Sequence, residues 1–177
     1  MGGIAPGAER SIESPQRSLI QSVPRGSPEY MADPHDRSDR FELIAACEGE
    51  QLASFANEVL EDDPPLSIRQ DPRPKLLMQR VQEPVERRPF NLGEVVVTPA
   101  EVELSGTRGF AMVPGKNERA ALSGAIVDAA VAGDHDRTPT IVEALQEVET
   151  RQRDRRRQSW AESLHTAVEF ETIEDQQ

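Results

Sequence analysis

PFNLGEVVVTPAEVELSGTRGFAMVPGKNERAALSGAIVDAAVAG, residues 89–133, is the stretch whose reading decides the fold. Val95, Val97, Val102 and Leu104 are alternating apolar positions whose register breaks near Pro99. Ser105-Gly106-Thr107 follows, then a second apolar run, Phe110-Ala111-Met112-Val113. A strand, a tight turn and a returning strand make a β-hairpin. Pro114-Gly115 closes it, and Ala121, Leu122, Ala125, Ile126 and Ala129 then recur at helical spacing. Gly133 is placed to stop that helix in the left-handed conformation that glycine accepts. Pro99 has no N–H for a ladder, so it marks an edge, a bulge or a bend, and the first run reads as two short strands.

Upstream, Ser38 or Asp39 is placed to cap a helix, and Asp39 with Glu42 has capping-box spacing. Phe41, Ile44 and Ala45 form one apolar face; Leu52, Phe55, Val59 and Leu60 form another beyond Gly49. Two short helices with a bend at Gly49 follow from that spacing. Residues 66–70 and 75–82 alternate as strands, with Asp71-Pro72-Arg73-Pro74 as the turn between them. Downstream, Thr138 as cap and Pro139 as first helical residue open a long helix striped by Ile141, Leu145 and Val148. Val168, Phe170 and Thr172 alternate as a terminal strand able to pair with this sheet or with another chain's. The class is α+β: an antiparallel sheet of four to five strands, N-terminal helices, a central helix and a long C-terminal helix. Residues 1–37, rich in Gly, Pro, Ser and charge, read as a disordered leader ahead of one domain, 38–177. A partner-binding arm is the alternative for that leader.

The chain's net charge is −12, from 32 acidic and 20 basic residues among 177. This argues against nucleic acid as a partner, since phosphate backbones attract a basic face. Lys75 and Lys116 are the only lysines; acidity with arginine in place of lysine predicts adaptation to a salt-rich cytoplasm. No apolar run is long enough to span a bilayer or serve as a signal core, so the expectation is a cytoplasmic protein without a membrane partner. Cys47 is the single cysteine, which excludes an intramolecular disulfide and a cysteine-based metal site. It reads as a small buried hydrophobe rather than a nucleophile. Asp134-His135-Asp136-Arg137 has metal-ligand residue types, but two carboxylates and one imidazole make no zinc site unaided, and a solvated loop is the preferred reading. Neither metal nor cofactor is expected.

Two cationic features remain. Arg151, Arg153, Arg155, Arg156 and Arg157 cluster on the long helix, as a solvated face or as a contact for an acidic partner. Lys116 and Arg119 sit in the first turn of the central helix, where unpaired N–H groups favour anions, a triphosphate or a phosphonate among them. The plainer reading, a glycine turn with wet cations, is preferred. No Ser-His-Asp order and no phosphate-cradling glycine loop occurs.

These residues resemble the PhnG subunit family of carbon–phosphorus lyase. The resemblance rests on Phe90, Gly93-Glu94, Thr98, Ala100, Val102, Leu104, Gly106, Gly109-Phe110, Val113 and Gly115, then Ala121, Ala125-Ile126 and Asp128-Ala129 on a helix. Thr166-Ala167-Val168-Glu169-Phe170-Glu171-Thr172 is similar to the family's closing motif; Glu171 and Met112 stand where aromatics are common. The resemblance implies a core complex with PhnH-, PhnI- and PhnJ-like subunits. It further implies that with PhnH, PhnI and PhnL the chain supports displacement of adenine from ATP by methylphosphonate, giving ribose 1-methylphosphonate 5-triphosphate. Nucleosidase activity falls to PhnI and radical iron–sulfur cleavage to PhnJ, so this chain is an accessory subunit without established catalytic residues. The alternatives are a stand-alone small-molecule-binding α+β domain and a structural homodimer.

Overall fold

The computed structural model describes residues 27–83 and 85–165. The expected terminal strand with Val168, Phe170 and Thr172 lies outside these, as do residues 1–26 of the expected leader. The described residues form an α+β fold: two helices, α1 (Arg37–Ala46) and α2 (Gly49–Leu60); four strands, β1 (Leu66–Gln70), β2 (Lys75–Gln82), β3 (Pro89–Leu104) and β4 (Thr107–Pro114); then α3 (Glu118–Ala132) and α4 (Thr138–His165).

β3 is the spine of one antiparallel sheet and is a single strand of 16 residues, not two short ones. β4 returns along one edge, from Thr107 opposite Leu104 to Pro114 opposite Val97. Ser105 (φ 48°) and Gly106 (φ 84°) form the two-residue turn between them. Two positive-φ residues match the twist of the flanking strands.

The other edge corrects the sequence reading. Residues 71–74 are not a hairpin turn. β1 and β2 lie end to end along β3, in a track running from Leu66 opposite Leu104 to Gln82 opposite Pro89. The chain reverses between Gln82 and Pro89. There Glu83 N–H donates to the Arg88 carbonyl (3.0 Å), and the Glu83 carboxylate accepts the Val85 and Glu86 amides (both 2.7 Å). Residues 71–74 are a gap in the ladder, because Pro72 and Pro74 have no N–H to contribute. Pro99 faces that gap. Gly115 N–H donates to Val96 O on the β4 side, and Ser105 N–H donates to Pro65 O on the β1 side. Successive residues point their polar groups to opposite edges, so the nitrogen of Pro99 points away from β4, and β3 runs through unbroken.

Thr98, Ala100, Val102 and Leu104 put one face of β3 under α3, with Ala111 and Val113 of β4. α3 is buried nearly all round, which requires small residues: Ala121, Gly124, Ala125 and Ala129. Contact is closest at Gly109, where an added Cβ would lie 2.0 Å from the Ala125 carbonyl oxygen. Leu43 and Ile44 of α1, Leu52 and Val59 of α2, and Ile141 and Leu145 of α4 complete the core.

Helix ends differ from expectation by a few residues. Asp36 caps α1, accepting the Ser38 and Asp39 amides at 3.0 Å. Asp39 is instead buried and accepts the Tyr30 hydroxyl (2.7 Å) and the Asp33 amide (3.0 Å). After α3 the left-handed residue is Asp134 (φ 53°), not Gly133 (φ −93°). Space at Gly133 is tight: a Cβ there would meet Thr107 Oγ1 at 3.0 Å and the Ala129 carbonyl oxygen at 3.2 Å. The Thr138 hydroxyl does not cap α4 but donates to Ala130 O at 3.2 Å.

Candidate functional site

The junction between β4 and α3 is built from the sheet outward. Gly115 adopts φ +77°, a left-handed turn that redirects the strand into the helix. Buried Thr98 fixes that turn from the neighbouring strand. Its hydroxyl donates to Gly115 O (2.7 Å) and accepts the Asn117 amide (3.2 Å). Asn117 is the N-cap, its Oδ1 accepting the Ala120 amide at 3.0 Å.

Lys116 precedes the Asn117 cap and so lies outside the first turn in which it was expected, while Arg119 lies within it, and the two leave for different surroundings. Arg119 Nη1 pairs with Glu50 at the start of α2, 3.2 Å away, with both side chains largely in water. Such an exposed pair contributes little, about 0–1 kcal/mol. Lys116 instead lines a shallow groove of about 280 Å³ with Pro74, Lys75, Leu76 and Val96. The only two lysines of the chain thus border one groove, at the base of the β2–β3 ribbon. Lys75 was missed as a site residue. The available signal was its rarity; its place beside Lys116 depends on strand pairing.

The other sequence candidates are tied into the fold, except Arg151, Arg155 and Arg157 of the arginine cluster, which stay exposed. His135 Nδ1 accepts the Arg137 amide (3.1 Å), and Arg137 pairs with Glu58 (3.6 Å) and Glu61 (3.1 Å) at the end of α2. Among the described residues no group of three or more His, Cys, Asp or Glu could hold a metal ion. Cys47 is half-buried and its Sγ donates to Gln51 Oε1 at 3.3 Å. Burial pushes its thiol above the usual range, which opposes thiolate chemistry. In the arginine cluster, Arg153 (4.0 Å) and Arg156 (3.4 Å) turn back to buried Glu149, and Arg156 also donates to Tyr30 O (3.2 Å).

Sequence reading missed a buried charge cluster between α1 and α3. Arg40 Nε donates to Asp128 Oδ1 at 2.6 Å, with side chains 4% and 3% exposed. Arg40 Nη1 donates to the carbonyls of Pro34 (3.0 Å) and His35 (3.2 Å), and Asp128 Oδ2 accepts the Phe110 amide (2.9 Å). Every member is satisfied inside the domain, which makes the cluster a clamp and not a reactive site.

One comparison bears on identity. The model of a family described as phosphonate metabolism protein PhnG matches residues 35–174. The chain belongs to the PhnG family. The matched span takes in all eight elements, from Arg37 of α1 to His165 of α4, and so includes the junction, the clamp and the β2–β3 ribbon. No curated protein matches the chain. As a PhnG-family member it is a phosphonate metabolism protein, and among its described residues no helix is long and apolar enough to cross a membrane.

Proposed function

We propose that this chain, through residues 38–177, is a subunit of a carbon–phosphorus lyase complex. In that role it acts with PhnH-, PhnI- and PhnL-like chains in moving the ribose triphosphate of ATP onto methylphosphonate with release of adenine. A PhnJ-like subunit completes the complex. The family match over residues 35–174 is the observation that supports this reading. Two features support an accessory role: the buried Arg40–Asp128 pair is consumed by internal bonds, and the cationic groove at Lys75 and Lys116 is shallow.

Reconstitution tests it. Sister chains with this protein should release adenine from ATP when methylphosphonate is supplied, as read by chromatography. Leaving this protein out should abolish release, and the protein alone should release none. Turnover by the isolated chain, or full turnover without it, would overturn the reading. In the same assay a K116A/R119A double variant tests the anion role of the β4–α3 junction. Unchanged product yield removes that role and leaves the subunit assignment standing. Val168, Phe170 and Thr172 are assigned to partner contact, and a V168E/F170E variant should lose co-purification with the PhnI-like chain.

A further inference from the structure

Beyond Val97 the sheet narrows to two strands, because β4 ends at Pro114 opposite Val97 while β2 and β3 continue to Gln82 and Pro89. This ribbon is apolar on both faces. Leu76 pairs with Val96 and Met78 lies two residues on, so all three share the face that runs out from under α3. Leu77 pairs with Val95, and Phe90 joins them on the opposite face. Leu76 is 63% exposed, and even the less open Leu77 is 45% exposed. At the tip an open hollow of about 430 Å³ is bordered by Glu83, Val85, Glu86, Arg88 and Phe90. A two-stranded ribbon in water is marginal, and one with apolar side chains on both sides is an aggregation hazard unless something covers it.

Charge says what covers it. Glu83 is spent on the loop amides and Glu86 on Arg88 (2.9 Å). Among the described residues Lys75, Arg80, Arg87 and Lys116, on the ribbon or at its base, have no carboxylate within ion-pair range; Glu94 is the ribbon's remaining acid. An unpaired positive surplus stands out on a chain of net charge −12. That same net charge opposes pairing with a second copy. Exposure on both faces calls for a cleft rather than a flat patch.

We propose that the β2–β3 ribbon is an insertion arm, clamped on both faces in an apolar, carboxylate-rimmed cleft of a sister protein chain of the phosphonate-degrading complex. The inference rests on the subunit assignment above and adds the surface through which the subunit docks.

The test is co-expression of the full chain with PhnH-, PhnI- and PhnJ-like chains from the same genome, followed by size-exclusion chromatography and affinity measurement. L76E/M78E alters one face and L77E/F90E the other. Each should weaken assembly on the order of 30-fold or more, as loss of an interface anchor does. R80E/R87E should weaken it more at low salt than at high salt. All these side chains are exposed, so thermal melts of the isolated variants should match the parent. A photo-crosslinker at Leu77 should join the chain to a sister subunit. If the parent chain joins no sister subunit, the subunit assignment itself falls. If the parent assembles and both face variants assemble equally well, the arm is refuted and the assignment stands. Loss with only one face variant, or crosslinking of Leu77 to a second copy, refutes the clamp.

Discussion

Replacing Asp128 with alanine should be among the most damaging single changes available in this chain. The carboxylate meets two groups that have nowhere else to turn: Arg40 Nε at 2.6 Å and the Phe110 amide at 2.9 Å. With both charged side chains at least 96% buried, removing one partner strands the other's charge in the interior. That costs about 3–5 kcal/mol, and the orphaned amide adds roughly 1–3 kcal/mol. Contributions of this kind overlap, so the low ends give a loss of about 4 kcal/mol. Against a total stability of about 5–15 kcal/mol this is a large fraction. At about 2–4 °C per kcal/mol for a domain of this size, the melting temperature falls by about 8–16 °C. The pair should show a specific non-additivity. In an R40L background no stranded guanidinium remains, so D128A should then cost about 3 kcal/mol less than it does in the parent. Urea unfolding followed by circular dichroism, at low and at molar salt, measures all four corners of the cycle. Because the pair is buried, the coupling should change little with salt. A D128A loss below 1 kcal/mol, or simple additivity with R40L, would refute the clamp.

Three further outcomes are expected. G109A should destabilise by at least the ~1–3 kcal/mol of an overpacked core, since a Cβ 2.0 Å from the Ala125 carbonyl oxygen forces α3 off the sheet; a melt within 2 °C of the parent would contradict this. Cys47 should alkylate with a pH profile displaced to higher pH than that of a free thiol, because burial holds its proton on; stability gained from that protonated thiol is complete below the unfolded-state value and declines as pH rises through the folded one. The melting temperature should rise from dilute to molar salt, as repulsion within a chain of net charge −12 is screened; a flat or falling curve would remove the salt-rich-cytoplasm reading.

What sequence reading recovered, and what it missed, divides along the range of the forces involved. The β3–β4 hairpin, the small-residue helix α3 and the pair α1–α2 are set by periodicities and turn residues within about twenty positions, and these were legible. Residues 71–74 were not. Two prolines between alternating runs look locally like a turn, and the pairing of both runs with β3 is needed to show a gap in one track. Pro99 is the same lesson from the other strand: its effect depends on which edge its nitrogen faces. The Arg40–Asp128 clamp joins positions 88 apart, and no local pattern announces it. Lys116 was legible as a cation beside the start of the central helix, though it stands just ahead of the Asn117 cap and not in the first turn, and its neighbour Lys75 reaches it only through the ribbon.

The gap and the proline together do more than interrupt a ladder. They fall where β4 is about to end, so the three-stranded region under α3 hands over to the two-stranded ribbon within a few residues of Val97. On the β2 side the ladder resumes only at Lys75 opposite Val97, and the sole unbroken connection across the handover is β3. Cooperativity in a sheet travels through paired strands and shared side-chain packing, and both thin out at this point. The body, held by α3 packing and the buried clamp, therefore owes little of its stability to the ribbon. The ribbon in turn borrows its geometry from β3 and keeps its apolar side chains in water. A chain evolved only to fold would lose little by trimming those side chains to polar ones. Their presence on both faces therefore answers to something outside the body, and because the two parts are nearly independent, damage to the ribbon should register in assembly and not in the melt.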